Sequence, residues 1–307
     1  MKYMLIPFLL FLSLSCKQTP EQVLESIPEK DVQLVEQEYL TLIPPLDSFR
    51  YDLPWIKDFL IENTLVNRIF TPNQYERIEY KPGTFEHWIR HLPLKSGNPK
   101  VLLYNGTEKG NQSAHAYILD IDVGSKDLQQ CADATMRLRA EYLFNNGKKD
   151  SITFNYTNGA KVPYSKWKSG LMPVPKSGGV DWKTSSSAGE GYEKFKAYMI
   201  QIFNYAGTLS LSKELQKIPL AQLKPGDLFI KGGSPGHAVM VMDMAIHPTT
   251  GDKVFLLSQS YMPAQNIQIL KNFTNAKLSP WYSMSEIDEF INTPEWTFDR
   301  DQVMRWN

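Results

Sequence analysis

Cysteine is almost absent from this chain, which holds only Cys16 and Cys131 in 307 residues. So few thiols exclude a disulfide-built scaffold and any metal site made of several thiolates. Beyond residue 15 no apolar run approaches the roughly 20 residues that a membrane-spanning helix needs. An excess of one charge is missing as well. The 33 Lys and Arg balance 33 Asp and Glu without any basic block, so nucleic acid is not an expected partner. There is no internal repeat, phosphate-binding loop, dinucleotide glycine fingerprint or nucleophilic serine elbow. His87 and His91 stand four apart on an expected helix, the spacing of a metal pair. Trp88-Ile89-Arg90 between them lacks the glutamate a zinc peptidase carries after its first histidine, so no metal and no cofactor is expected.

What is present starts at the N-terminus. Met1-Lys2 is followed by a mostly apolar stretch to Leu14, then Ser15 and Cys16. A positive start, a short apolar core and a small residue before the cut are the parts of a secretory signal. With Cys16 directly after Ser15 the segment resembles the bacterial lipoprotein signal, although Ser13 stands where leucine is usual. The resemblance implies a signal peptide over residues 1–15, lipid on Cys16, and export to the cell envelope with a membrane as the partner of that lipid. Residues 16–50, with Pro20, Pro28, Pro44 and Pro45, read as a tether, and residues 51–307 as one domain. If lipid takes Cys16, Cys131 is a lone thiol. It is either reactive or a small buried hydrophobe, and composition leaves both open.

Within the domain, residues 85–90 form an expected helix capped by Thr84. Short apolar runs at 101–104 and 116–123 read as strands. Leu128, Cys131, Thr135, Leu138 and Tyr142 recur at spacings of three and four, predicting a helix with Asp127 as N-cap and Gly147 as stop. Residues 151–191 read as long loops around one strand, Ile152 to Tyr156, and are followed by a helix through Tyr192, Phe195, Met199 and Ile202. An insertion over about 145–220 is expected. After the turn Pro225-Gly226-Asp227 come a strand at 228–230, a strand opening at His237, and a returning antiparallel strand at 254–261. Alternation places His237, Val239, Val241 and Asp243 on one face.

A thiol attacks a carbonyl as thiolate, and a helix N-terminus offers partial positive charge and free amides near Cys131. His237, beside glycines that let a substrate approach, is the best candidate base. Gln259 on the returning strand lies diagonal to it if the loop centres near Thr249, with Ser258 or Tyr261 as the alternatives should the register slip. Asp243 lies too far along the strand to orient His237.

Gln130-Cys131, Gly226-Asp227-Leu228, Gly236-His237-Ala238-Val239 and Ser258-Gln259 together resemble papain-like cell-wall hydrolases of the NlpC and CHAP types. The resemblance implies an α+β fold in which a helix bearing the cysteine packs on an antiparallel sheet, here with a large insertion. It also implies a cysteine amidohydrolase acting on peptidoglycan or peptide through Cys131, His237 and Gln259. The backbone amide of Cys131 would supply the oxyanion hole, and Gln130, Ser258, Tyr261 and Trp167 would stand at or near the substrate. Gln259 departs from the usual Glu or Asn, and no Ser or Thr follows the cysteine. The stretches 85–94, 128–142, 226–243 and 257–265 also resemble a family of bacterial lipoproteins of about this length without an established activity. Trp167 and Trp182 in polar loops could stack on sugar or peptide or simply anchor those loops. His115 and His247 read as structural. The competing function is a non-catalytic wall- or glycan-binding lipoprotein with Cys131 merely buried.

Overall fold

The computed structural model describes residues 45–185 and 188–307. The expected signal peptide, Cys16 and nearly all of the tether lie outside the described residues. Residues Asp47–Asn307 form one compact unit.

Its helices are α1 (Leu65–Arg68), α2 (Phe85–Arg90), α3 (Cys131–Asn145), α4 (Tyr164–Lys168), α5 (Tyr192–Phe203) and α6 (Thr208–Glu214). Its strands run from β1 (Glu76–Arg77) and β2 (His115–Ile118) through two hairpins, β3 (Thr153–Asn155) with β4 (Lys161–Pro163) and β5 (Leu171–Lys176) with β6 (Gly179–Thr184). They continue with β7 (Gln216–Lys217), β8 (Leu228–Lys231), β9 (His237–Ile246), β10 (Lys253–Gln259), β11 (Gln268–Leu270) and β12 (Tyr282–Ser283). The last three are β13 (Phe290–Asn292), β14 (Thr297–Asp299) and β15 (Val303–Arg305). The main sheet has nine strands, all pairs antiparallel, in the order β2-β11-β10-β9-β8-β15-β7, with β1 joined to β9 and β12 to β10. The protein is therefore a mixed α+β fold built on a large antiparallel sheet.

The long central strands are buried on both faces, which explains their nearly continuous apolar sequence. Ala238, Met240 and Met242 of β9 join the core formed with α2, α3 and α5, while Val239, Val241 and Met244 join a second core with Phe229, Phe255 and Phe298. The switch of parity after Met242 is a β-bulge: Leu256 pairs with Asp243 and Leu257 with Val241, so one β9 residue has no partner. The bulge corrects the expected alternation. Asp243 does not share the face of His237, Val239 and Val241 but turns toward α2 and β1, whose Arg90 and Arg77 bind its carboxylate at 3.0 and 2.8 Å.

Helix α3 is buried nearly all round. Its charges survive there because they are paired: Arg137 donates to Glu141 at 2.6 Å and to Gln129 at 3.0 Å, and Tyr192 of α5 donates to Glu141 at 2.7 Å. The helix begins later than its periodicity suggests. Gln130, with extended backbone, is the N-cap, and Asp133 accepts the Gln130 amide at 3.1 Å. Asp127, the expected cap, instead accepts from the Ala264 amide at 2.6 Å and from Gln130 Nε2 at 3.1 Å. That exchange ties the helix tip to the segment leaving β10. Val101 to Tyr104 forms only isolated bridges rather than a strand, and the expected loops over 151–191 contain two hairpins and α4.

Candidate functional site

The tip of α3, the mouth of β9 and the end of β10 converge on a cavity of about 560 Å³. Cys131 is the first residue of α3 and His237 the first of β9, and both line it together with Gln130, Asp133, Tyr261 and Trp296. No lysine or arginine does. Gly236, preceding His237, has no room for a side chain. A Cβ there would collide with the Gly233 and Lys231 carbonyls and the Thr208 hydroxyl, so glycine is needed for β9 to start at this point.

His237 Nε2 meets Gln259 Oε1 at 2.9 Å. The pairing follows from the sheet: Ser258 faces Met240, so Gln259, one residue further, stands diagonal to His237. The imidazole is walled by three rings, Tyr261 at 4.8 Å, Trp296 at 5.2 Å and Phe298 at 5.9 Å between centroids. Burial in this setting lowers its pKa to about 4, against upward contributions from the Gln259 hydrogen bond and the Glu295 charge. The free base is thus the resting form at neutral pH.

Cys131 is 9% exposed. Its thiol is pushed up to about 11, first by burial and then by the neighbouring Asp133, while the amides of Ala132, Ala238 and Cys131 itself pull the other way. The contact with the Ala238 amide seats the sulfur against the residue after His237. The helix terminus is expected to favour thiolate, yet with the sulfur buried the thiol is the resting form. Burial also raises Asp133 well above the ordinary carboxylate range. Asp133 Oδ1 and Trp296 Nε1, both on residues lining the cavity, are buried without a protein partner among the described residues.

The remaining candidates divide. Tyr261 and Gln130 line the cavity, although the Gln130 carboxamide is held by Asp127. Ser258 is buried in β10 and does not line it. Trp167 sits on α4, donating to the Lys194 carbonyl at 3.0 Å and packing edge-on against Tyr198, and also lies outside the cavity. His87 of α2 and His91, which caps its C-terminus, stack at 4.1 Å, with His91 bonded to the His87 carbonyl and Asp47 and His87 to Tyr51. No group of three or more possible metal ligands occurs among the described residues.

Two residues of the site carry no signal in the sequence. Glu295 accepts from Gln259 Nε2 at 2.6 Å and from Asn111 Nδ2 at 3.0 Å, and pairs with Lys109. Trp296 follows it in the turn between β13 and β14. Both come from a short irregular segment without periodicity, and only the closing of that hairpin over β9 brings them to His237.

No curated protein and no solved structure matches the chain. A family model described as a domain of unknown function (4846) matches residues 65–305, a span that includes the helix tip, both strands and the hairpin of this site, and the chain belongs to that family.

Proposed function

We propose that the protein is a cysteine amidohydrolase of papain-like type that acts on an amide bond of cell-wall peptide. The observation that carries the reading is that Cys131, on a helix tip, and His237 line one cavity, while Nε2 of His237 is held by Gln259. Nε2 is engaged, which leaves Nδ1 for the thiol.

The resting pair is a thiol and a neutral imidazole, so the proton moves as the sulfur attacks. The Cys131 proton passes to His237 Nδ1, the S–C bond forms, and the carbonyl π pair moves to oxygen. The backbone amide of Cys131, at the helix tip, is the proposed holder of the oxyanion. Collapse expels the amine, which takes the proton from Nδ1. Water then attacks the thioester, giving one proton to His237 and releasing the acid while the thiolate recovers that proton. The Asp127 carboxylate, unaccompanied by lysine or arginine in the cavity lining, favours a neutral or amine-bearing substrate over an anionic one at this site.

The lipoprotein reading of the first sixteen residues supplies the location: an exported protein, lipid-anchored through Cys16 and facing the wall. A second reading is favoured by one observation, the high thiol pKa: a non-catalytic wall- or glycan-binding lipoprotein in which Cys131 only fills space.

Digestion of purified peptidoglycan separates the two. Wild type is expected to release peptide fragments with new amine ends. Cys131→Ala should lose this activity while keeping its unfolding midpoint, since the change removes one sulfur from a cavity wall. Absence of fragments from folded wild type would favour the binding protein.

A further inference from the structure

We propose that Glu295 is a positioning residue of this site: by accepting the N–H of Gln259 it turns the carboxamide oxygen toward His237 and holds the imidazole proton on Nε2. The proposal rests on the Cys131–His237 reading above and extends it to a residue from a different part of the chain.

A carboxamide is nearly symmetric in shape but not in hydrogen bonding, so something must decide which end faces the imidazole. The two neighbours of Gln259 are unequal. His237 can present either a donor or an acceptor at Nε2, whereas a carboxylate paired with Lys109 can only accept. Glu295 at 2.6 Å therefore takes Nε2 of Gln259, and Oε1 is left to accept from His237 at 2.9 Å. With the proton committed to Nε2, Nδ1 carries the lone pair that the thiol needs. Without the carboxylate the amide could turn over, place its NH2 on His237, and force the proton to Nδ1, where it would block the transfer.

Glu295 is itself fixed. Lys109 and Asn111, from the segment before β2, hold its two oxygens separately, and Lys109 is 8% exposed. Trp296, the next residue, packs on the His237 ring, so one short turn sets both the orientation of the imidazole plane and the site of its proton. The negative charge also reaches His237 directly, opposing the effect of burial. When His237 takes up the thiol proton, Glu295 is the nearest placed countercharge, with Gln259 as the spacer. This arrangement explains how glutamine can stand where an acid or asparagine is expected.

The test is the tautomer of His237 in the full chain, read by nitrogen-15 NMR with labelled histidine, together with the rate at which iodoacetamide alkylates Cys131. In wild type Nε2 is expected to be protonated and Nδ1 free. Lys109 and Gln259 share Oε2 of Glu295, so a glutamine there would still accept from both. In Glu295→Leu no acceptor remains, Lys109 is left to donate to the Gln259 oxygen, and the carboxamide flips. The proton should move to Nδ1, and alkylation should slow by about 10²-fold, the scale of a lost general base. Glu295→Asp keeps an acceptor and should keep the wild-type tautomer. The proposal is overturned by an Nδ1-protonated ring in wild type, whether or not any variant folds. It is equally overturned by an unchanged tautomer and rate in Glu295→Leu, or by loss of the tautomer in both variants with a matching drop in unfolding midpoint, which would make the role structural. Neither readout uses a substrate, so failure to digest peptidoglycan would sink the hydrolase and leave this result standing.

Discussion

Two effects act on the sulfur of Cys131, and their sizes decide between them. A helix N-terminus favours a negative group by about 0.3–1 kcal/mol when exposed, less than the 1.36 kcal/mol that one pKa unit represents. Burial and Asp133 act in the opposite direction and win, carrying the thiol from 9.0 to about 11. Asp133 cannot simply be dispensed with, because it caps α3 through the Gln130 amide. Asparagine keeps an oxygen for that bond and removes the charge. Asp133→Asn is therefore expected to shift the pH profile of Cys131 alkylation to lower pH and to leave thermal unfolding nearly unchanged. A profile that does not move would mean that burial alone sets the thiol. At this scale the sequence is legible where the sheet dictates geometry. The diagonal of His237 and Gln259 follows from a two-strand register centred on the turn near Thr249, while Glu295 arrives through tertiary folding of an irregular turn and leaves no local pattern.

Between residues and fold lie the elements, and there the bulge in β9 has the largest consequence. By swapping parity it takes Asp243 off the His237 face and buries it, 0% exposed, against Arg90 and Arg77. This pins α2 and β1 to the end of the central strand opposite the site. Removing one partner of such a pair leaves an uncompensated buried charge, a loss of about 3–5 kcal/mol. Asp243→Ala is expected to destabilise by that order in urea unfolding, with Asp243→Asn milder because one acceptor remains. A change below about 1 kcal/mol would show that the two arginines find water or other acceptors. A bulge is invisible to alternation, since it is an exception to the periodicity that alternation assumes. The hairpins β3–β4 and β5–β6 escape for another reason. They lie in a stretch rich in Gly, Ser and Lys, where β3 and β4 are three residues each and the alternation in β6, Val180-Asp181-Trp182-Lys183, is too short to stand out. The late start of α3 was missed because Leu128 fits the helical spacing but lies in a turn before the cap. The correction places Cys131 at the first helical position.

At the scale of the whole molecule the sheet separates two cores, and the cavity opens where β9 begins and β10 ends, so the candidate chemistry sits at an edge of the fold. The proposed lipid on Cys16 would hold the protein at a membrane, and the physics of the anchor makes the idea testable. Each buried methylene contributes about 0.8 kcal/mol, so one acyl chain binds marginally while two or more hold firmly. The formal net charge of the chain is zero, so attraction to anionic lipid contributes little overall. Wild type expressed in a bacterial host is therefore expected to sediment with membranes, to stay there in high salt, which screens charges but not acyl burial, and to be released by detergent. Cys16→Ser should move the protein to the soluble fraction while leaving Cys131 alkylation unaltered, because the site lies wholly within residues 127–296 and its support from Lys109 and Asn111. Release of wild type by salt alone, or continued sedimentation of Cys16→Ser, would replace the lipid anchor with a different attachment.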